Sequence, residues 1–116
     1  MEIVRKLVKK LKKNRDLGTI REISYRELKE LIKTNTEIEI VDIRSPQEYA
    51  ENKIRFAINI PLYDLKKEAS KLLKDKNKTI ILYCQHGSRS KKAYEILENQ
   101  GYTNLYSLRG GIEEIE

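Results

Sequence analysis

The run Thr79-Ile80-Ile81-Leu82-Tyr83 constrains this chain more than any other segment. It is apolar and rich in β-branched residues, carries no charge and does not alternate polar with apolar residues. A strand with one wet face alternates, whereas a strand buried on both faces does not. The run is therefore read as the central strand of a mainly parallel sheet, which needs helices on both faces. In such sheets ligands gather at the carboxyl ends of the strands. The residue at that end here is Cys84.

The rest of the chain supplies the layers. Thr19 to Ile23 reads as a short first strand, and Ser24-Tyr25-Arg26-Glu27 is a capping box that opens a helix with Leu28, Leu31 and Ile32 inward. Ile38 to Ile43 is a strand, and Ser45-Pro46-Gln47-Glu48 starts a helix with proline at its first position. Ala57 to Ile60 is a short strand ended by Pro61. Residues 62–74 form a helix with Leu65, Ala69, Leu72 and Leu73 inward, and Ser88 to Asn99 a helix with Ala93, Ile96 and Leu97 inward. Asn104 to Ser107 is the last strand, before Gly110-Gly111 breaks the chain. The expected architecture is α/β, with a mainly parallel five-stranded sheet over residues 19–116. Ahead of it, Ile3, Val4, Leu7, Val8 and Leu11 share one stripe of a helix over residues 2–13, with lysines opposite. Residues 1–18 are thus expected to be a basic amphipathic helix and a linker.

Charge follows this division. Residues 1–15 hold seven of the 24 Lys and Arg and one of the 18 acids, which leaves 17 of each in residues 16–116. The domain is neutral and the net +6 belongs to the arm, so the overall charge does not argue for nucleic acid. The arm also has no aromatic residue to stack on bases. It is read as a helix packed on the domain, ahead of an anionic membrane surface or an acidic partner bound through residues 1–15. Its lack of a continuous apolar core argues against a secretory signal, and the run ending at Cys84 is far too short to span a membrane. Cys84 is the only cysteine and His86 the only histidine, so neither an internal disulfide nor a zinc site is expected, and no cofactor is implied. A free thiol fits the cytoplasm.

The loop Cys84-Gln85-His86-Gly87-Ser88-Arg89-Ser90 carries the chemistry. A strand that turns tightly into a helix lets the amides of residues 85 to 89 converge on one point, forming an anion-binding nest. Gly87 permits a backbone that a side chain would resist. The helix dipole and Arg89 favour negative charge at Cys84, hence the thiolate, the reactive form. A lone cysteine at a strand end is by default a small buried hydrophobe. Gly87, Ser88, Arg89 and Ser90, close behind it and opening a helix, argue instead for a nucleophile. His86 has two readings, a contact for an anionic substrate or an exposed loop residue. Arg89 either faces the anion or braces the loop by pairing with Glu48 or Asp42, and bracing is preferred.

These residues resemble the rhodanese family, the thiosulfate sulfurtransferases and their single-domain relatives. Cys84, Gly87, Arg89 and Ser90 match the family's Cys-x-x-Gly-x-Arg-Ser loop. Asp42, Arg44, Glu48, Tyr49, Asn59, Ile60 and Pro61 match its upstream signature, and Gly101, Tyr102, Leu108, Gly110 and Gly111 its downstream one. The similarity covers about residues 20 to 115. Two positions depart from it: Lys53 stands where the family often has histidine, and Phe56 where it often has glycine. Ile115 takes the place of a tryptophan, and the few residues after Gly111 leave room for only a short terminal helix.

The resemblance implies a two-step transfer. Cys84 takes sulfur from a donor such as thiosulfate as a persulfide and passes it to cyanide or a thiol. Gln85, His86, Gly87, Ser88, Arg89 and Ser90 would form the substrate-binding loop. Asp42, Arg44 and Glu48 would support its rim, with a substrate contact also open to Arg44. With no second cysteine, the acceptor thiol must be external, such as glutathione or thioredoxin. Two other readings stay open: a persulfide carrier or docking module without turnover, and a cysteine phosphatase or arsenate reductase. Only four residues separate Cys84 from Arg89, against five in cysteine phosphatases, which argues against the last. The oligomeric state is not legible.

Overall fold

A computed structural model describes residues 19–34 and 37–115. The expected amphipathic helix and linker over residues 1–18 lie outside the described residues. Five parallel strands form one sheet in the order β1-β5-β4-β2-β3: β1 is Glu22–Ile23, β2 Ile38–Asp42, β3 Ile58–Asn59, β4 Thr79–Tyr83 and β5 Leu105–Leu108. Four α-helices join them: α1 is Tyr25–Lys33, α2 Pro46–Glu51, α3 Leu62–Leu72 and α4 Ser88–Asn99, and a 3-10 turn over Ile112–Ile115 follows β5.

The uncharged run is the central strand, paired along its length with β2 from Ile38↔Thr79 to Asp42↔Tyr83 and with β5 from Ile80↔Leu105. Its side chains divide between two cores. Ile80, Leu82 and Cys84 pack with Leu65, Ala69, Ala93 and Leu97 of α3 and α4. Ile81 and Tyr83 pack with Leu28 and Leu31 of α1, and Tyr49 of α2 packs against that second core. This division explains why β4 tolerates no polar alternation: each of its faces meets a helical layer.

The connections define where a site can form. The chain leaves β2 toward β3 on one side and leaves β4 toward β5 on the other. The β2/β4 pair is therefore the switch point, and the carboxyl ends of these two strands are where ligands of such sheets bind. Asp42 and Arg44 stand at one end and Cys84 at the other.

Two helix starts are fixed by side chains. Ser24 and Glu27 form the expected capping box of α1, and Ser45 and Glu48 form a second one at α2, with Pro46 at its first position. Three expectations are adjusted. Helix α3 ends at Leu72, whose side chain is half exposed at 51%, so Leu72 does not point inward. Leu73, just past the helix, is buried in the core as expected. The strand expected from Ala57 to Ile60 narrows to Ile58–Asn59 because Ala57 closes a turn, its amide donating to the carbonyl of Ile54 at 3.0 Å.

Candidate active site

Cys84 leaves β4 with its sulfur on the α3/α4 side, buried at 1% exposure. The backbone amides of Gly87 and Ser90 donate to Sγ at 3.0 and 3.3 Å. The convergence expected of residues 85 to 89 thus comes from residue 87 and from residue 90, one beyond that range. Ser90 is the third residue of α4, whose N-cap is Gly87. A glycine cap offers no side-chain acceptor for that amide, and the sulfur takes the place that a cap oxygen would fill. Gly87 sits at φ +107°, a conformation that suits glycine alone at little cost. Ser90 Oγ donates to the carbonyl of Gly87 at 2.9 Å and meets Ser107 Oγ of β5 at 2.7 Å.

The outer side of the loop is held by the segment after β5. The amides of Ile112 and Glu113 donate to the carbonyls of Cys84 and Gln85 at 2.9 and 3.1 Å. Gly111 permits this approach: a Cβ there would lie 2.4 Å from the Gln85 carbonyl oxygen. His86 is 64% exposed and its Nδ1 pairs with Glu113 Oε2, which ties the loop to the same segment. The pair Gly110-Gly111, read from the sequence as a break in the chain, is thus a clasp on the loop.

Arg89 braces the loop as preferred, and its partner is Glu48 of α2. Two nitrogens of its guanidinium donate to the two carboxylate oxygens at 2.8 and 2.9 Å. The same carboxylate accepts the Ser45 amide at 3.1 Å as part of the α2 cap. Its hydrogen bonds from Arg89 outweigh the cost of partial burial and hold the Glu48 carboxyl down at about 2.

Arg44 has no free face for a substrate. It is 1% exposed and grips the fully buried Asp42 through Nε and Nη2, at distances of 2.8 to 3.1 Å. Its other bonds go to the carbonyl of Asn52 at 2.6 Å, to Asn52 Oδ1 and to Gln85 Oε1 at 3.2 Å. Arg44 is therefore a strut between β2, the segment after α2 and the loop, and the substrate contact left open for it is withdrawn. The Gln85 side-chain oxygen accepts a bond from Arg44 Nη1 at 3.2 Å. Ser88 is exposed at the helix start. The hydroxyl of Tyr83 accepts the Ile54 amide at 3.1 Å, and burial pushes its phenol up.

The two departures from the family pattern lie on the surface. Lys53 Nζ sits 4.5 Å from the centre of the Tyr49 ring. Phe56 adopts φ +71° in the turn closed by Ile54 and Ala57 and is 68% exposed, with the Arg55 guanidinium 4.8 Å from its ring. It holds a left-handed position that glycine would take at less cost. Among the described residues, no helix is long and apolar enough to cross a membrane.

A buried thiol under two amides, at the switch point of a parallel sheet and just after its five-residue central strand, marks a protein of the α/β class with a cysteine loop at its ligand-binding edge. The profile of the rhodanese-like domain matches residues 24–116. The chain is 39% identical over 75 residues to the thiosulfate sulfurtransferase PspE of Escherichia coli, across 65% of this chain and 71% of that protein. It is 36% identical over 93 residues to the thiosulfate sulfurtransferase GlpE of Coxiella burnetii, across 80% and 84%. The crystal structure of a rhodanese-related protein of Thermoplasma volcanium superposes with a TM-score of 0.71 at 33% identity, covering 81% of this chain and 88% of that one. The chain belongs to the rhodanese family, among its single-domain, sulfurtransferase-like enzymes.

Proposed function

We propose that the protein moves sulfane sulfur from a donor such as thiosulfate to a thiol or cyanide, through a persulfide on Cys84. The observation that carries this reading is the pair of amides, from Gly87 and Ser90, aimed at Sγ at 3.0 and 3.3 Å. They lie at a helix start, where the dipole favours an anion, and they suit a thiolate or a small sulfur anion. In the first step the thiolate attacks the outer sulfur of thiosulfate. The sulfur–sulfur bond of the donor breaks, and sulfite leaves with the bonding pair. In the second step an acceptor nucleophile attacks the outer sulfur of the persulfide, and the Cys84 thiolate is released.

Two further features support sulfur over phosphate. The loop is one residue shorter than that of cysteine phosphatases, and the guanidinium of Arg89 gives two of its nitrogens to Glu48. An arginine so engaged has less to offer a tetrahedral oxyanion. The single cysteine puts the acceptor thiol outside this chain, a part that glutathione or thioredoxin would fill. The reducing cytoplasm is the matching compartment.

Mass spectrometry of the protein after incubation with thiosulfate tests the first step, and thiocyanate formation on adding cyanide tests the second. Gain of one sulfur on Cys84, lost in Cys84→Ser, is the expected result. No gain and no thiocyanate would overturn the reading. Gain without turnover would identify a carrier.

A further inference from the structure

We propose that Ser107 is a positioning residue for Cys84: its hydroxyl holds Ser90, and through Ser90 both amides that face the sulfur. Ser107 lies on β5 between Tyr106 and Leu108 and is fully buried, as is Ser90. A hydroxyl in the interior is costly unless it is bonded. The direction of its bond follows from counting protons. Ser90 Oγ has one proton, which goes to the Gly87 carbonyl at 2.9 Å. The 2.7 Å contact between the two hydroxyls must then be filled by the proton of Ser107.

The chain of bonds ends at the sulfur. Ser107 holds the rotamer of Ser90, and Ser90 holds the carbonyl of Gly87, next along the backbone from the Gly87 amide. The amides of these same two residues reach Sγ at 3.0 and 3.3 Å. A network closed in this way resists drift of either donor, and fixed donors favour the charged sulfur over the neutral thiol. Ser107 is not among the groups that hydrogen-bond Sγ, and its side-chain bond is to Ser90, so its effect on the sulfur runs through Ser90. The inference rests on Cys84 as the reacting group, and it adds a strand residue to the loop as part of that group's environment.

The test is the pH dependence of Cys84 alkylation by iodoacetamide in the full chain. In Ser107→Ala the profile is expected to move to higher pH, with alkylation at neutral pH about three- to tenfold slower. The double variant Ser90→Ala/Ser107→Ala should match Ser90→Ala alone, because one residue acts through the other. Ser107→Thr and Ser107→Val have the same shape and differ by the hydroxyl, so they read the same effect should Ser107→Ala fold poorly: Thr should keep the wild-type profile and Val should shift it. Superimposable profiles for Thr and Val, or additive effects in the double variant, would overturn the proposal. Loss of thermal stability with no movement of the profile would also overturn it, by leaving Ser107 a merely structural role. The alkylation readout does not depend on sulfur transfer, so a protein that fails to load sulfur from thiosulfate counts against the proposed function alone.

Discussion

Arg89 and Glu48 join the helix that follows Cys84 to the helix that follows β2, through two parallel hydrogen bonds of 2.8 and 2.9 Å. The folded carboxyl of Glu48 is held at about 2, below its ordinary 4.5, first by these bonds and against partial burial. A carboxyl lowered on folding contributes stability that is fully present above its unfolded value and is lost as pH falls through the folded one. The stability difference between wild type and Glu48→Gln should therefore be constant at neutral pH and shrink between about 4.5 and 2. Urea unfolding across this range measures it. A difference that stays constant to the lower limit would mean that the pair adds nothing through charge.

Gly111 bears on the loop from the other side. Alanine there would place its Cβ 2.4 Å from the carbonyl oxygen of Gln85, at φ +69°. Gly111→Ala should cost about 2 kcal/mol or more, from strain and from backbone displacement. It should also slow sulfur loading of Cys84, because the carbonyls that the clasp holds belong to the loop. Chemical denaturation and the mass-spectrometric loading assay check both effects, and wild-type loading in a destabilised variant would show that the clasp serves stability alone.

Arg44 is expected to act through stability. Replacing it by methionine leaves Asp42 buried at 0% exposure without its partner. Breaking a buried pair in this way costs about 3–5 kcal/mol. Asp42→Asn/Arg44→Met should recover part of that loss, since no charge is then stranded. A variant of wild-type stability with a raised KM for thiosulfate would instead restore the substrate role that the geometry denies.

Phe56 offers a gain. Its ring is 68% exposed, so little burial compensates for its φ of +71°. Relief of a left-handed backbone is worth about 1–2 kcal/mol, and the extra chain entropy of glycine offsets about 0.5–1 of it. Phe56→Gly should therefore stabilise the protein by about 0.5–1 kcal/mol, while Phe56→Ala, which keeps the strain, should not. The two melting temperatures, taken side by side, decide it.

Much of this arrangement is legible along the chain because it is local. The capping boxes at Ser24 and Ser45 are closed by residues three positions on, and β4 and α4 span the residues that the apolar run and the Ser88 start imply. Leu72, the last residue of α3, is expected inward but its side chain is half exposed, while Leu73 beside it is buried. Arg21, read as part of a first strand, is a buried clamp whose guanidinium reaches the hydroxyl of Tyr106 at 3.2 Å and the carbonyl of Thr103 at 3.2 Å. Those partners lie more than 80 residues away along the chain, and no local pattern marks them.

By itself the sequence singled out the candidate nucleophile, the loop that holds it and the parallel sheet beneath, since each rests on residues that are neighbours or share a period. Tertiary structure alone decided which groups serve that loop. It chose Glu48 over Asp42 for Arg89, gave Asp42 to Arg44, turned Gly110-Gly111 into a clasp and placed Ser107 beneath Ser90. The physical reason is that hydrogen bonds and buried charges are satisfied by whatever groups the sheet order brings within about 3 Å, whatever their distance along the chain.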